Sequence, residues 1–162
     1  MSITFTDDQI DRLIREPKTL PKDYKAHLAL REKRGHRHQD YEVAGADGHE
    51  FQIILRQSIS NPLNFSAILG VIVPGTNRVF RLRRYNSRTH PHKNHLEEES
   101  FAFKCHIHQA TERYQESGRN EDAYAEATDR FSDLNGAIAC LLKDCGFILP
   151  EGAQLELFEE HA

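Results

Sequence analysis

Histidine, a residue type suited to chemistry near neutral pH, is concentrated in one segment of this chain. Residues 88–114 read RTHPHKNHLEEESFAFKCHIHQATERY and hold five of the ten histidines. An imidazole exchanges a proton at physiological pH, and in its neutral form it is a common metal ligand. The segment therefore raises two chemical hypotheses, proton transfer and metal binding, and both involve His90, His92, His95, His106 and His108.

The spacing of these histidines is compatible with metal binding. Three H-x-H pairs occur, at 36/38, 90/92 and 106/108. Residues two apart on a β-strand point to the same face, so the rings of His106 and His108 can reach one ion. The pair at 90/92 would add ligands, and His95 or a glutamate from 97–99 could complete the set. Under this hypothesis the cofactor is a divalent transition metal held by His90, His92, His106 and His108.

The same segment also fits metal-free cleavage of a phosphodiester such as RNA. That reaction needs a base for the 2′-hydroxyl proton, an acid for the leaving oxygen and cations for the phosphate charge. Histidine suits the proton transfers, and arginine binds phosphate through paired hydrogen bonds. All five histidines of the segment are then candidate catalytic residues. The candidate phosphate- or nucleic-acid-binding residues are Arg83, Arg84, Tyr85, Lys93, Arg113 and Tyr114.

The charge of the chain is unevenly distributed. The formal net charge is −4 with histidine neutral, which argues against general nucleic-acid coating. Residues 78–95 nevertheless carry six Lys/Arg and three histidines without any acidic residue, whereas the part from residue 116 onward is acidic. A local basic surface on an acidic protein indicates a specific anionic ligand.

Composition and targeting signals indicate a globular, cytoplasmic protein. The longest apolar run, ILGVIVP at 68–74, has the length of a strand and not of a membrane span. The N-terminal MSITFTDDQ does not resemble a signal peptide. The three cysteines lack CxxC spacing and are expected to be reduced core residues.

The elements that would position the histidines begin with a helix. Thr6 and Gln9 form a capping box, which predicts a helix over 7–16. Residues 40–58 read as two strands joined at Asp47-Gly48, and 63–74 and 78–86 read as two further strands. A strand over 101–110 would turn Phe101, Phe103, Cys105 and Ile107 to the core and His106 and His108 to the other face.

The predicted fold is α+β in a single domain, 1–162. A curved antiparallel sheet of five or six strands, over about 36–110, forms a meander. A C-terminal helix over about 133–145 packs with the first helix on one face of the sheet, and 150–162 is an acidic tail. Residues 122–128 are expected to form a short strand or a helical turn.

Residues 83–115, RRYNSRTHPHKNHLEEESFAFKCHIHQATERYQ, together with the preceding FQIILRQS and NFSAILGVIVP, resemble a family of bacterial and archaeal proteins that has no assigned activity. The resemblance covers about 50–147. The chain is also distantly similar to TumE-type toxins of toxin–antitoxin modules, through Arg84-Tyr85-Asn86 followed by His90, His92 and His95. This resemblance implies a small toxin-like protein that acts on RNA. The segment HIHQATERY is not a feature of those toxins.

Three functions follow as hypotheses. The first is a toxin-like ribonuclease of a toxin–antitoxin or phage-defence locus that uses the histidine and arginine cluster. The second is a non-catalytic inhibitor in phage–host conflict, whose acidic surface blocks a protein or a nucleic-acid site. The third is a metal-dependent hydrolase or metal-binding protein. The partners implied are RNA or another nucleic acid, and a cognate antitoxin or target protein, without a membrane.

Overall fold

A computed structural model of the chain describes residues 3–89 and 91–151. His90 and nearly all of the predicted acidic tail lie outside this range. The helices are α1 (Asp7–Arg15), α2 (Tyr24–His27), α3 (Glu112–Glu116) and α4 (Leu134–Asp144). The strands are β1 (Lys18–Thr19), β2 (Arg31–Lys33), β3 (His36–Ala44), β4 (Glu50–Ser58), β5 (Phe65–Ile72), β6 (Val79–Asn86), β7 (His92–Asn94), β8 (Glu99–Phe101), β9 (His106–Gln109), β10 (Tyr124–Ala127) and β11 (Phe147–Ile148).

The predicted first helix is confirmed together with its capping box. The Thr6 side chain accepts a hydrogen bond from the backbone N–H of Gln9, and the Gln9 side chain accepts one from the backbone N–H of Thr6. These reciprocal bonds satisfy two amide groups that a helix start leaves unpaired. The apolar face of α1 buries Ile10, Leu13 and Ile14.

The main sheet is an antiparallel meander, as predicted, but it has seven strands instead of five or six. Its order is β10-β9-β6-β5-β4-β3-β2. β10 is the short strand that was one alternative for residues 122–128, and β2 is the strand that was not predicted. All three residues of β2 are exposed, so it lacks the hydrophobic alternation from which a strand is predicted.

One face of this sheet forms the core with the two longer helices. Phe51, Ile53 and Leu55 of β4 are buried beside the alternating apolar residues of β5. The buried residues of α1 and α4 belong to the same hydrophobic cluster. Burying each such side chain contributes about 1.5–3 kcal/mol, so this face supplies most of the stabilisation. None of the helices within 3–89 and 91–151 has the length and apolar character to cross a membrane.

The first and last parts of the described chain meet at a buried lysine. β1 pairs in parallel with β11, with Lys18 opposite Phe147. The Lys18 ammonium donates hydrogen bonds to the carbonyl oxygens of Leu13, Ile14 and Glu16 at the end of α1, and to that of Cys145 at the end of α4. A cation suits this place because helix C-termini carry partial negative charge. Burial nevertheless lowers the pKa of Lys18 to about 8.

The segment that was predicted as one strand over 101–110 is broken. β8 ends at Phe101, and β9 begins at His106. Between them Phe103 adopts a left-handed backbone conformation (φ 60°) and is 83% exposed. The prediction that Phe103 enters the core was therefore wrong. It was also wrong for Phe101, whose ring lies 5.5 Å from that of His92 and 5.2 Å from that of His106. The chain breaks here because its two halves pair with different strands: β8 pairs with β7, whereas β9 pairs with β6 and β10. The alternation of apolar and polar residues does not reveal such a change of partner.

Candidate metal centre

Three histidines from two separate strand segments converge on the face of the sheet opposite the helices. The ring centroid of His92 lies 5.5 Å from that of His106 and 4.7 Å from that of His108, and the latter two are 5.0 Å apart. One potential ligand atom from each ring lies within 4.8 Å of those of the other two. His106 and His108 are 1% and 3% exposed. The sequence predicted that these two rings would share a face, and this is confirmed.

Strand pairing explains why His106 and His108 point away from the core. In β9, Ile107 lies opposite the buried Tyr85 of β6, so it faces the helices. His106 and His108 alternate with Ile107 and therefore face the other side. On the far flank they lie opposite Ala127 and Ala125 of β10. The small alanine side chains leave room above the two imidazoles for another layer.

That layer is the hairpin formed by β7 and β8, which carries His92. Asn94 of β7 is 1% exposed and docks the hairpin against the edge of β10. Its side-chain N–H donates to the carbonyl oxygen of Ala125 (2.7 Å), and its side-chain oxygen accepts from the Ala125 N–H (2.9 Å). Asn94 thus binds the free edge of β10 as a neighbouring strand would.

Each imidazole of the trio is oriented by a hydrogen bond at one of its ring nitrogens. Nδ1 of His108 lies 2.7 Å from the carbonyl oxygen of Asp122, and Nδ1 of His106 lies 2.9 Å from that of Lys104. Nε2 of His92 lies 2.7 Å from the side-chain oxygen of Asn94. Because these oxygens accept hydrogen bonds, the ring nitrogens donate, and the lone pair of each neutral ring is on its other nitrogen. Metal-binding histidines are oriented in this way. In His108 this other nitrogen, Nε2, lies 3.4 Å from the side-chain nitrogen of Asn86, which a bound ion would have to displace.

The electrostatic surroundings keep His108 neutral. Burial, together with the positive charges of the neighbouring Arg84, His106 and His92, lowers its pKa to about 2. A neutral imidazole is the form that coordinates a metal. With so low a pKa, however, His108 is too weakly basic to accept a proton efficiently in acid–base catalysis.

A buried ion pair lies beside His108. Asp122 is fully buried, and its carboxylate approaches the guanidinium groups of Arg84 (3.2 Å) and Arg81 (3.6 Å). Burial raises the pKa of Asp122 above its ordinary value, and the two arginines oppose this shift only in part. Arg84 lies opposite His108 in the sheet, so the predicted phosphate-binding arginine is at the centre but is already paired with a carboxylate.

Two other predicted phosphate-binding residues lie on the opposite face of the sheet. The hydroxyl of Tyr85, which is fully buried, donates to Asp144 of α4 (2.7 Å). Arg83 donates to the Tyr85 hydroxyl (3.2 Å) and to Gln109 (2.9 Å). Burial raises the pKa of Tyr85 far above its ordinary value. The sheet therefore separates Arg83 and Tyr85 from the three histidines.

Arg113 and Tyr114 contact the hairpin and not the imidazoles. The hydroxyl of Tyr114 donates to Glu97 (2.6 Å) and accepts from the Leu96 N–H (3.2 Å), and Arg113 donates to Glu97 (2.7 Å). These bonds attach the turn of the hairpin to α3. The two residues thus position the layer that carries His92.

A cleft of about 490 Å³ opens next to His92 and His108. Lys93 and His95 of the hairpin segment are exposed there, and the loop between α3 and β10 also lines it. The pair His36 and His38 lies on β3, which three other strands separate from β9 in the sheet, and does not take part. The described residues that line the cleft are Arg84, Pro91, His92, Lys93, His95, His108, Gly118, Arg119, Asn120 and Ala123.

Sequence reasoning missed Asn94, Asp122 and Lys104 as partners of the histidines. Asn94 had a weak signal, since it is two residues from His92 and therefore on the same side of a short strand. Asp122 and Lys104 act through their backbone carbonyl oxygens, which every residue has. No residue type reveals such a role.

The fold and the site together define an α+β protein with a three-histidine centre in which two of the imidazoles are buried. Comparison with known proteins finds no matching family model, no similar curated protein and no similar solved structure. A function therefore has to be inferred from the chemistry of the centre itself.

Proposed function

We propose that this protein is a hydrolase that depends on a divalent transition metal held by His92, His106 and His108. The convergence of three imidazoles, each with one ring nitrogen engaged by an oxygen acceptor, carries the proposal. Three nitrogen ligands are the set found in catalytic zinc sites, where a fourth position stays open. A metal bound there would supply Lewis acidity and an activated water for hydrolysis.

The donor set fits an ion after a small contraction. A tetrahedral ion with nitrogen ligands at about 2.0–2.1 Å holds them about 3.4 Å apart. The three ligand atoms lie within 4.8 Å of one another, so a shift on the order of 1 Å would bring them into range. His92 can make much of this adjustment because it is only half-buried and lies on the hairpin, whereas the other two rings are fixed in the sheet.

The chain's own residues have distinct tasks in this proposal. The Asp122 and Lys104 carbonyl oxygens and the Asn94 side chain hold the imidazoles in the tautomers that present lone pairs. Burial keeps His108 neutral, and therefore competent as a ligand, across the physiological pH range. The adjacent cleft admits a substrate to one side of the centre.

The toxin-like ribonuclease expected from the resemblance is retained as a hypothesis about the substrate. Metal-free acid–base cleavage has less support, because His108 is a poor base and Arg83 and Tyr85 lie across the sheet. An inhibitor without catalytic activity would not depend on the three histidines. If a chelator abolishes RNA cleavage and added metal restores it, the protein is both the toxin-like ribonuclease of the first hypothesis and the metal-dependent hydrolase of the third.

The deciding experiment is elemental analysis of the purified, untagged protein. We expect one transition-metal ion per chain in the wild type and none in His106→Ala/His108→Ala. His36→Ala/His38→Ala is the matched control, because it removes an H-x-H pair at an exposed edge region of the same sheet, and it should keep the metal. His92→Gln tests the third ligand with little risk to folding.

A second measurement covers loss of metal during purification. Zinc, nickel, cobalt or manganese added to the metal-free protein should raise its melting temperature, because a ligand at about 100 times its Kd stabilises the native state by about 2.7 kcal/mol. Absence of stoichiometric metal, combined with an unchanged melting temperature for all four ions, would rule out the metal centre.

A further inference from the structure

The cleft beside the histidines is built from two segments that are distant in sequence. One is the hairpin segment with Lys93 and His95, and the other is the loop with Arg119 between α3 and β10. His92 and His108 line the same cleft, so a molecule bound there lies next to the proposed metal. A volume of about 490 Å³ is within the range of pockets for small molecules.

The charge of this cleft has one sign. Arg84, Lys93 and Arg119 line it, and the described lining residues include no aspartate or glutamate. The chain as a whole has a net charge of −4, so the cleft is a local positive region on an acidic protein. Clefts with charge of one sign concentrate ligands of the opposite sign.

The cations of the cleft divide into two kinds. Arg84 is paired with the buried Asp122 and serves mainly to maintain the centre. Lys93 and Arg119 are exposed, and neither forms an ion pair with any residue in the described part of the chain. Most other arginines of the basic segment are paired, since Arg78 and Arg81 contact Glu121 and Arg83 contacts Asp144. Lys93 and Arg119 are thus the cationic groups of the cleft that an incoming anion can contact.

We propose that the cleft binds a phosphate group of the substrate, with Lys93 of one segment and Arg119 of the other contacting its oxygens and the ester bond facing the three-histidine centre. As a substrate site this rests on the proposed function, although phosphate binding itself can be measured separately. Arginine forms paired hydrogen bonds with phosphate, and lysine contributes a point charge. A phosphoester, either a nucleic acid or a small phosphorylated molecule, is therefore the substrate class.

The test is binding of inorganic phosphate, followed by calorimetry, to wild type, to Lys93→Ala/Arg119→Ala and to the control Lys33→Ala/Arg37→Ala. The control removes the same charges from exposed positions on β2 and β3. We expect the cleft variant to lose affinity by roughly tenfold or more while its metal content equals that of the wild type, because charge-assisted hydrogen bonds are lost. The control should bind as the wild type does.

The outcomes separate the two proposals. No phosphate binding by a wild type that carries its metal, or an equal loss in both double variants, overturns the phosphate site and leaves the metal centre standing. Phosphate binding that depends on Lys93 and Arg119 in a protein without a metal centre overturns the hydrolase and supports the phosphate site. Displacement of phosphate by a short RNA but not by a mononucleotide identifies a nucleic-acid substrate, and the reverse identifies a small phosphoester.

Discussion

Acidification should destabilise this protein through His108 in particular. The pKa of this imidazole is lowered to about 2 in the folded state, whereas an unfolded chain keeps it near 6.5. Between these values the unfolded state binds a proton at His108 that the folded state does not. The stabilisation is therefore fully present above about pH 6.5 and is lost progressively as the pH falls.

The magnitude follows from the unfolded-state pKa alone as long as the folded-state pKa lies well below the pH. Protonation of His108 in the unfolded state lowers the free energy of unfolding by RT ln(1 + 10^(6.5 − pH)). This is about 2 kcal/mol at pH 5 and close to zero at pH 8. We therefore expect His108 to lower the free energy of unfolding by about 2 kcal/mol between pH 8 and pH 5.

The assay is urea unfolding of the metal-free protein, in the presence of a chelator, at several pH values. Circular dichroism is a suitable probe, because the chain has no tryptophan. The contribution of His108 is the difference in pH dependence between the wild type and His108→Gln. His36→Gln, which removes an exposed histidine far from the centre, serves as the control.

Parallel loss of stability in the wild type and His108→Gln between pH 8 and pH 5 would refute the reasoning. It would mean that His108 binds a proton as readily in the fold as in the unfolded chain. If the variant does not fold, a nuclear magnetic resonance titration of the wild type decides instead. The His108 ring protons should then show no titration down to pH 5.

Two further predictions concern residues that hold the structure around the centre. Asn94→Ala removes two hydrogen bonds to Ala125 and one to His92, so it should lower the free energy of unfolding by about 2–4 kcal/mol and weaken metal binding. Urea unfolding and metal titration measure these effects, with the exposed Asn77→Ala as control. Equal behaviour of the two variants would contradict the prediction. Lys18→Met leaves four helix-end carbonyl oxygens without their donor and should destabilise by about 2–3 kcal/mol in urea unfolding, whereas the exposed Lys22→Met should change stability by less than about 0.5 kcal/mol.

The parts of the fold that could be predicted are those encoded by local patterns. The capping box at Thr6, the hairpin turn at Asp47-Gly48 and the alternation along β4 and β5 each depend on residues close in sequence. The shared face of His106 and His108 follows from the two-residue period of a strand. These features are found in the structure as predicted because no contact between distant residues alters them.

The parts that could not be predicted depend on contacts between distant residues. Asn94 bonds to Ala125, 31 residues away, and this contact places His92 above the other two histidines. The basic residues of 78–95 were expected to form one surface. Alternation along β6 instead places Arg83 on the face of the sheet that packs against the helices and Arg84 on the face that carries the histidines. The acidic partners of these arginines, Asp144 and Asp122, come from later elements, so the sequence pattern did not reveal the pairing.

The Lys18 junction has a consequence for the order of events during synthesis. A growing chain that has not yet presented residue 145 lacks one of the acceptors of the Lys18 ammonium, and it lacks β11 as the partner of β1. Joining residues this far apart requires closure of a long loop, which is slow and comes late in folding. We therefore expect α1 to be cleaved rapidly by protease in a chain released after residue 140 and to be protected once residue 148 is present. Completion of the domain would then await its last elements, instead of accompanying translation from the start.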